Sequence, residues 1–250
     1  MKKNMKPFHL KLLALLVMMA IVSTTHMAHA KKKKVLVFCK TAGFHHNSIK
    51  QGIAAIQKLG KENKFDVDST INSAKFTEAN LKQYNAVIFL NTTGDVLNDE
   101  QQSAFEKYIR TGGGFVGVHS ATDCEYNWPW YGDLVGAYFL THPHQQVAVL
   151  DVTDRTHIST KHLPEKYKRK DEWYNFKWVA KGLNILMSID EKSYDAGSGK
   201  MGDHPMAWYR KYDGGRSFYT ALGHTEESYA EPLFLNHLLG GIKYAMGQKK

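Results

Sequence analysis

Between Lys34 and His119 short apolar runs alternate with segments of helical periodicity, and this alternation restricts the fold more than any other feature of the chain. KVLVFCK (Lys34 to Lys40) is a continuous apolar run, as expected of a strand buried on both faces of a parallel sheet. In IKQGIAAIQKLGKEN, Ile49, Ile53, Ile56 and Leu59 recur at helical spacing. FDVDST reads as an edge strand, and NLKQYNAVIFLN as a short helix running into a central strand. NDEQQSAFEKYIRTGGG reads as a helix with an acidic start and a glycine stop, and GFVGVH as the fourth strand. The pattern predicts an α/β fold with an open, mostly parallel, flavodoxin-like sheet and helices on both faces. In such sheets ligands bind beyond the carboxyl ends of the strands. The loops carrying His45 and His46, Asn91 to Asp95, and His119 to Asp123 are therefore expected to converge.

Beyond about Ala137 the pattern turns β-rich. QQVAVLDVT (Gln145 to Thr153) alternates like an exposed strand, and HPMAWYRKYDGGRSFYTALGH reads as two strands joined at Asp213-Gly214-Gly215. PLFLNHLLGGIKYAMG closes the chain with an amphipathic helix. No Pro, Gly or Ser-rich linker and no repeat divides the sequence, so residues 31–250 are expected to form a single domain with a β-rich elaboration in the second half.

Residues 1–30 carry Lys2, Lys3, Lys6 and Lys11, then the apolar run LLALLVMMAIV, then Ala28-His29-Ala30, the small-x-small pattern of a signal peptidase site. Cleavage after Ala30 and a periplasmic or secreted mature protein are expected. Eleven apolar residues are too few to span a bilayer, so no membrane anchor is expected after cleavage. Without the four leader lysines the formal charge falls from +9 to +5, and part of that remainder is the run Lys31 to Lys34. The positive residues are scattered rather than laid in a stripe with aromatics, which argues against nucleic acid as a partner. Cys39 and Cys124 are the only cysteines, too few for a disulfide framework. The choice between monomer and homodimer stays open.

Ten histidines remain beyond residue 30, most of them in loops beside glycine, proline or carboxylates: GFHHNS, GVHSATD, THPHQQ, GDHPMAW and LGHTEES. His119 holds the leading position, because a strand ending in Gly-x-His sets the ring at the mouth of the sheet, where a neutral imidazole accepts a proton or ligates a cation. A partly exposed loop histidine is expected there, and the glycine-rich strand reads as a device for aiming that side chain or admitting a ligand. His142 and His144, two apart in THPHQQ, would share one face of a strand and suit a divalent metal such as zinc. DEWYNF places Asp171 and Glu172 ahead of aromatics, and Trp173, Tyr174, Trp178 and Trp208 read either as a sugar-stacking wall or as core.

With KTAGFHH, GGGFVGVHSATD, THPHQQ, DEWYNF and HPMAWYRKYDGGRSFYTALGH in this order, the chain resembles the ThuA family, the trehalose-utilisation proteins with a class I glutamine amidotransferase-like fold. The resemblance runs from about Val35 to Met246. It implies small-molecule carbohydrate as substrate, in particular disaccharides oxidised to 3-keto sugars by a partner sugar 3-dehydrogenase. Where amidotransferases carry Gly-x-Cys-x-Gly, this sequence has Gly117-Val118-His119-Ser120-Ala121, so glutaminase activity is not expected.

A ketone at C3 acidifies the C2 proton, so that a base removes it and the glycosidic oxygen at C1 leaves. Such a site needs a base, a proton donor and an enolate stabiliser. His119, His45, His224 and Glu172 are the candidate catalytic residues, with a divalent metal as a candidate cofactor. His46, Asp123, Trp173, Tyr174, His204, Trp208 and Glu226 are the candidates for substrate binding. Two rival readings remain: a non-catalytic sugar-binding module, and a metal-dependent hydrolase or isomerase of unoxidised glycans.

Overall fold

The computed structural model describes residues 32–248. The export signal expected over residues 1–30 lies outside the described residues. Among the described residues no helix is long and apolar enough to cross a membrane.

The first half of the chain folds as strands β1 (Lys34–Phe38), β2 (Asp66–Thr70), β3 (Ala86–Leu90) and β4 (Gly114–Val118), with helices α1 (Ile49–Glu62), α2 (Glu78–Leu81) and α3 (Asp99–Arg110) between them. The second half comprises α4 (Pro129–Val135), β5 (Ala137–Thr141), β6 (Gln146–Val152), β7 (Lys166–Asp171), β8 (Asn175–Val179), β9 (Asn184–Ile189), β10 (Pro205–Tyr212), β11 (Gly215–Thr220) and α5 (Pro232–Ala245). Nine strands form one sheet in the order β2-β1-β3-β4-β11-β10-β9-β6-β7, while β5 and β8 pair separately. The five strands from β2 to β11 are all parallel, in the flavodoxin-like order, and β10 begins an antiparallel extension.

Local sequence explains the elements that position the loops. β3 and β4 are buried at every residue, as strands covered on both faces must be. Helix α3 opens with a capping box: Asn98 accepts from the Gln101 backbone N–H at 3.0 Å, and the Gln101 side chain accepts from the Asn98 N–H at 3.0 Å. Asp99 and Glu100 at its start and Arg110 at its end complement the helix dipole. The β10–β11 hairpin turns through Asp213 (φ +45°) and Gly214 (φ +87°), the left-handed pair that a two-residue turn between twisted strands requires. That turn sends β11 back beside β4, in parallel register from Arg216 with Gly114 to Thr220 with Val118. His119 and the segment after β11 thus emerge at the same rim.

The glycines of β4 serve packing, which corrects the reading of that strand as a device for aiming a side chain. A Cβ at Gly114 would overlap the Ala245 carbonyl at the end of α5, and one at Gly117 would press Tyr219 at 3.0 Å. Small residues there let α5 and β11 approach the strand backbone. Gly114→Ala is accordingly expected to destabilise the fold by about 1–3 kcal/mol, the usual cost of overpacking, in urea denaturation. A variant as stable as the parent would show that α5 shifts freely.

Helix α5 also buries His237 completely; its Nδ1–H donates to the Ser159 carbonyl at 2.9 Å, and its Nε2 has no partner among the described residues. Burial holds this imidazole down to about pKa 3, so it stays neutral when folded. Below an unfolded value of about 6.5 the unfolded chain takes up a proton that the folded chain refuses, and stability falls as pH drops. The expected slope from this one group is up to about 1.4 kcal/mol per pH unit on acidification below about 6.5. Denaturation midpoints between pH 7 and pH 5 should show a shallower loss in His237→Gln; an unchanged slope would remove His237 as the cause.

Candidate functional site

Four side chains from four separate segments meet at the carboxyl rim. His46 comes from the loop after β1, His119 opens a single 3-10 turn (His119–Thr122) after β4, Glu172 follows β7, and His224 follows β11. One ligating atom from each lies within 4.8 Å of the other three, and His46, His119 and Glu172 are buried. His119 Nε2 is 3.1 Å from His224 Nδ1 and 3.4 Å from a Glu172 oxygen, and the same oxygen is 3.1 Å from His224 Nδ1.

Each ring is held by its surroundings. His119 is fully buried, not partly exposed as its loop position suggested. Its backbone is left-handed (φ +49°), and its carbonyl accepts from Tyr219 Oη at 2.7 Å. Because Nδ1 lies 2.8 Å from the Ala221 carbonyl, which can only accept, the proton sits on Nδ1 and the Nε2 lone pair faces the cluster. His46 Nδ1 contacts Ser120 Oγ at 3.4 Å, and the His46 ring stands edge-on to His119 and His224 at 4.9 and 5.1 Å.

Asp171, fully buried, anchors the other half of the cluster. Its carboxylate accepts from the backbone N–H groups of Glu172 (3.0 Å), Gly223 (3.0 Å) and His224 (3.2 Å) and pairs with Arg169 at 3.0 Å. Arg169 in turn donates to Ser228 at 2.7 Å and pairs with Glu231 at 3.1 Å. One carboxylate therefore fixes the end of β7 against the loop after β11.

Burial alone would raise the Glu172 carboxyl, but hydrogen bonds and charge from His119 and His224 outweigh it and hold the group well below the usual carboxylate range. Burial, reinforced by the charges of His119 and His224, holds His46 far below the usual imidazole range. The outcome is an ionised carboxylate packed against three imidazole rings, an arrangement that a proton or a cation among them stabilises. Tetrahedral zinc with bonds of about 2.0–2.1 Å separates its ligand atoms by about 3.3 Å, close to the three contacts among His119, Glu172 and His224, while the His46 ligand atom lies within 4.8 Å of theirs. The donor set fits a divalent metal.

The remaining expected residues fall into three groups. His142 touches the cluster from outside, its Nδ1 3.3 Å from the second Glu172 oxygen. Tyr174 walls it, with its ring 4.2 Å from that of His119. Glu226 lines a hollow of 240 Å³ beside His46 and His224, together with Phe44, Asn47, Gln145, Thr225 and Glu227. His45 is exposed and contacts Thr41 Oγ at 3.2 Å, so its neighbour His46 enters the cluster in its place. His144 is also exposed. The pairing of His142 and His144 on one strand face does not form, because β5 ends at Thr141 and both lie in the following loop. Asp123 accepts from Tyr126 Oη at 2.6 Å outside the four-residue group.

Trp173 and Trp208 are core residues whose indole N–H groups donate to the carbonyls of Gln146 and Val135. The stacking wall expected of them does not form, since neither ring reaches solvent. His204 is buried as well, bridging Glu191 (2.9 Å) and the Tyr174 carbonyl (2.8 Å). It supports Tyr174 from behind. Cys39 and Cys124 are free and buried; burial raises the Cys124 thiol well above its ordinary value, and its Sγ donates to the Gly94 carbonyl. A larger hollow of 410 Å³ between α2 and α3 shares no residue with the cluster.

Fold and site together define an α/β protein with a three-histidine, one-carboxylate centre at the carboxyl rim of a flavodoxin-like sheet. The model of the ThuA family, trehalose utilisation, matches residues 34–245, and the chain belongs to that family. A protein described as ThuA-like from Bacteroides uniformis ATCC 8492 is 24% identical with a TM-score of 0.72, covering 89% of this chain and 94% of its own. Another from Parabacteroides merdae ATCC 43184 is 23% identical with a TM-score of 0.73, covering 88% and 91%. A β-galactosidase from Bacillus circulans sp. alkalophilus shares the fold at 16% identity and a TM-score of 0.54, over 86% of this chain and 31% of that one. No curated protein sequence matches the chain.

Removing the Asp171 carboxylate leaves Arg169 buried beside an unpaired site and frees the His224 backbone. Asp171→Ala is expected to cost about 3–5 kcal/mol, as breaking a buried pair does. The double variant Arg169→Met with Asp171→Leu should recover part of that loss. Chemical denaturation of both proteins checks this, and a single variant within about 0.5 kcal/mol of the parent would contradict the anchor.

Proposed function

We propose that the protein is a carbohydrate-processing enzyme that uses a divalent metal, with zinc the best match to three imidazoles and one carboxylate, on glycosides oxidised to a ketone at C3. The observation that carries the reading is the convergence of His46, His119, Glu172 and His224 beside an open hollow. Family membership supports a carbohydrate-related role.

His46, His119, Glu172 and His224 hold the metal in this reading. When bound, the ion would supply Lewis acidity towards a ketone oxygen, given a coordination position beyond the four side chains. The chain's own residues do the rest. Ala221 and Ser120 keep the His119 and His46 rings aimed at the centre, and Tyr174 shields it from water on one side. His142 and Glu226, both at the rim, are the proton-transfer groups. One removes the proton at C2, and the other delivers a proton to the departing glycosidic oxygen. Water then adds to the eliminated sugar. In this reading the oxidised substrate comes from a sugar 3-dehydrogenase acting earlier, and the leader pattern of residues 1–30 supports a reaction outside the cytoplasm.

Testing this needs the metal content of purified protein, then incubation with a 3-keto-disaccharide and with the unoxidised parent sugar. About one zinc per chain is expected, with turnover of the keto sugar alone and loss of turnover on chelation. His119→Asn suits the left-handed backbone better than alanine, and should lower zinc content and reduce turnover about tenfold or more while the chain stays folded. Turnover of the unoxidised sugar would favour a metal-dependent glycan hydrolase or isomerase. Full activity of His119→Asn, or of chelated protein, would overturn the reading.

A further inference from the structure

The hollow beside the cluster contains a side chain that neither the fold nor the four-residue group needs. Phe44 is 65% exposed at the rim of the 240 Å³ hollow. Singly exposed apolar side chains are ordinary, but this one is fixed in place. The backbone on both sides of it is pinned to Thr93: the Gly43 N–H donates to Thr93 Oγ1 at 3.2 Å, and that hydroxyl donates to the Phe44 carbonyl at 2.9 Å. The ring itself stands edge-on to His46, with centroids 4.8 Å apart and planes at 82°. A phenyl ring is thus preset beside a residue of the cluster with much of its surface open to solvent.

The other walls of the hollow are polar. The Glu226 carboxylate is steadied by Gln51 Nε2 at 2.6 Å, and Asn47 and Gln145 line the same hollow as His224. An apolar ring lining one hollow with carboxylate and amide residues matches a pyranose ring, which presents a patch of C–H bonds on one face and hydroxyls around its edge. Pockets for drug-sized ligands begin at about 300 Å³, so the hollow takes one ring, and the second ring of a disaccharide lies outside it.

We propose that Phe44 is the stacking platform of a saccharide subsite, with the C–H face of one pyranose ring on the phenyl face and its hydroxyls bonded to Glu226, Asn47 and Gln145. The subsite rests on the reading that the cluster acts on carbohydrate. It supplies the aromatic surface that the buried Trp173 and Trp208 do not.

Isothermal titration of the zinc-loaded protein with trehalose and with glucose tests the subsite without requiring turnover. Phe44→Ala should raise the Kd for trehalose about tenfold or more, and Phe44→Trp should return it to within about threefold of the parent, with zinc content equal in all three proteins. Because the readout is binding, failure of the keto-sugar chemistry leaves this expectation intact. Parent-like affinity in Phe44→Ala, or the absence of saturable binding of both sugars to the parent, would overturn the subsite.

Discussion

The buried carboxylate of Asp171 is the contact on which the rest of the site depends. It gathers three backbone N–H groups and the Arg169 guanidinium, and so ties the last residue of β7 to the loop that follows β11. Those two segments belong to opposite parts of the sheet, an antiparallel edge strand and the fifth strand of the parallel set. The Arg169 contacts to Ser228 and Glu231 reinforce the same tie, which brings Glu172 to His224. A buried charge pair is weak support for stability in itself, since desolvation offsets much of its attraction. Its value here is geometric: it places a carboxylate and an imidazole 3.1 Å apart.

The parallel half of the sheet supplies the other two members through ordinary fold logic. β1 and β4 are not adjacent, yet β3 alone separates them, so the loops leaving their carboxyl ends run side by side. His46 and His119 occupy those loops, and the hairpin that returns β11 beside β4 brings His224 within reach. The centre is therefore a product of topology. Each residue is local to a strand end, and only the complete order of strands makes them neighbours.

Much of this was legible in the sequence where side-chain pattern reports burial. β1, β3, β4 and helices α1 and α3 announce themselves by apolar runs, helical periodicity and caps. β7 did not, for a physical reason: KYKRKD alternates correctly, but two of its three inward positions are Arg169 and Asp171, charged residues satisfied by each other. A strand whose buried face carries an ion pair has no hydrophobic signature, and the anchor of the site was hidden with it. His45 and His46 could not be separated because a loop has no period to say which ring turns inward. Trp173 and Trp208 looked like ligand-binding surface, yet their N–H groups find backbone carbonyls and their rings enter the core. Phe44 carried no signal at all, since exposure of one loop residue leaves no trace in pattern or composition.

The central claim is that His46, His119, Glu172 and His224 hold one metal ion. A crystal of zinc-loaded protein measured on both sides of the zinc absorption edge tests it most directly. The account predicts one strong anomalous peak per chain, within about 2.0–2.2 Å of an atom from each of the four side chains. A peak ligated elsewhere, for instance by His142 with His144, or no peak at the cluster under saturating zinc, would contradict it.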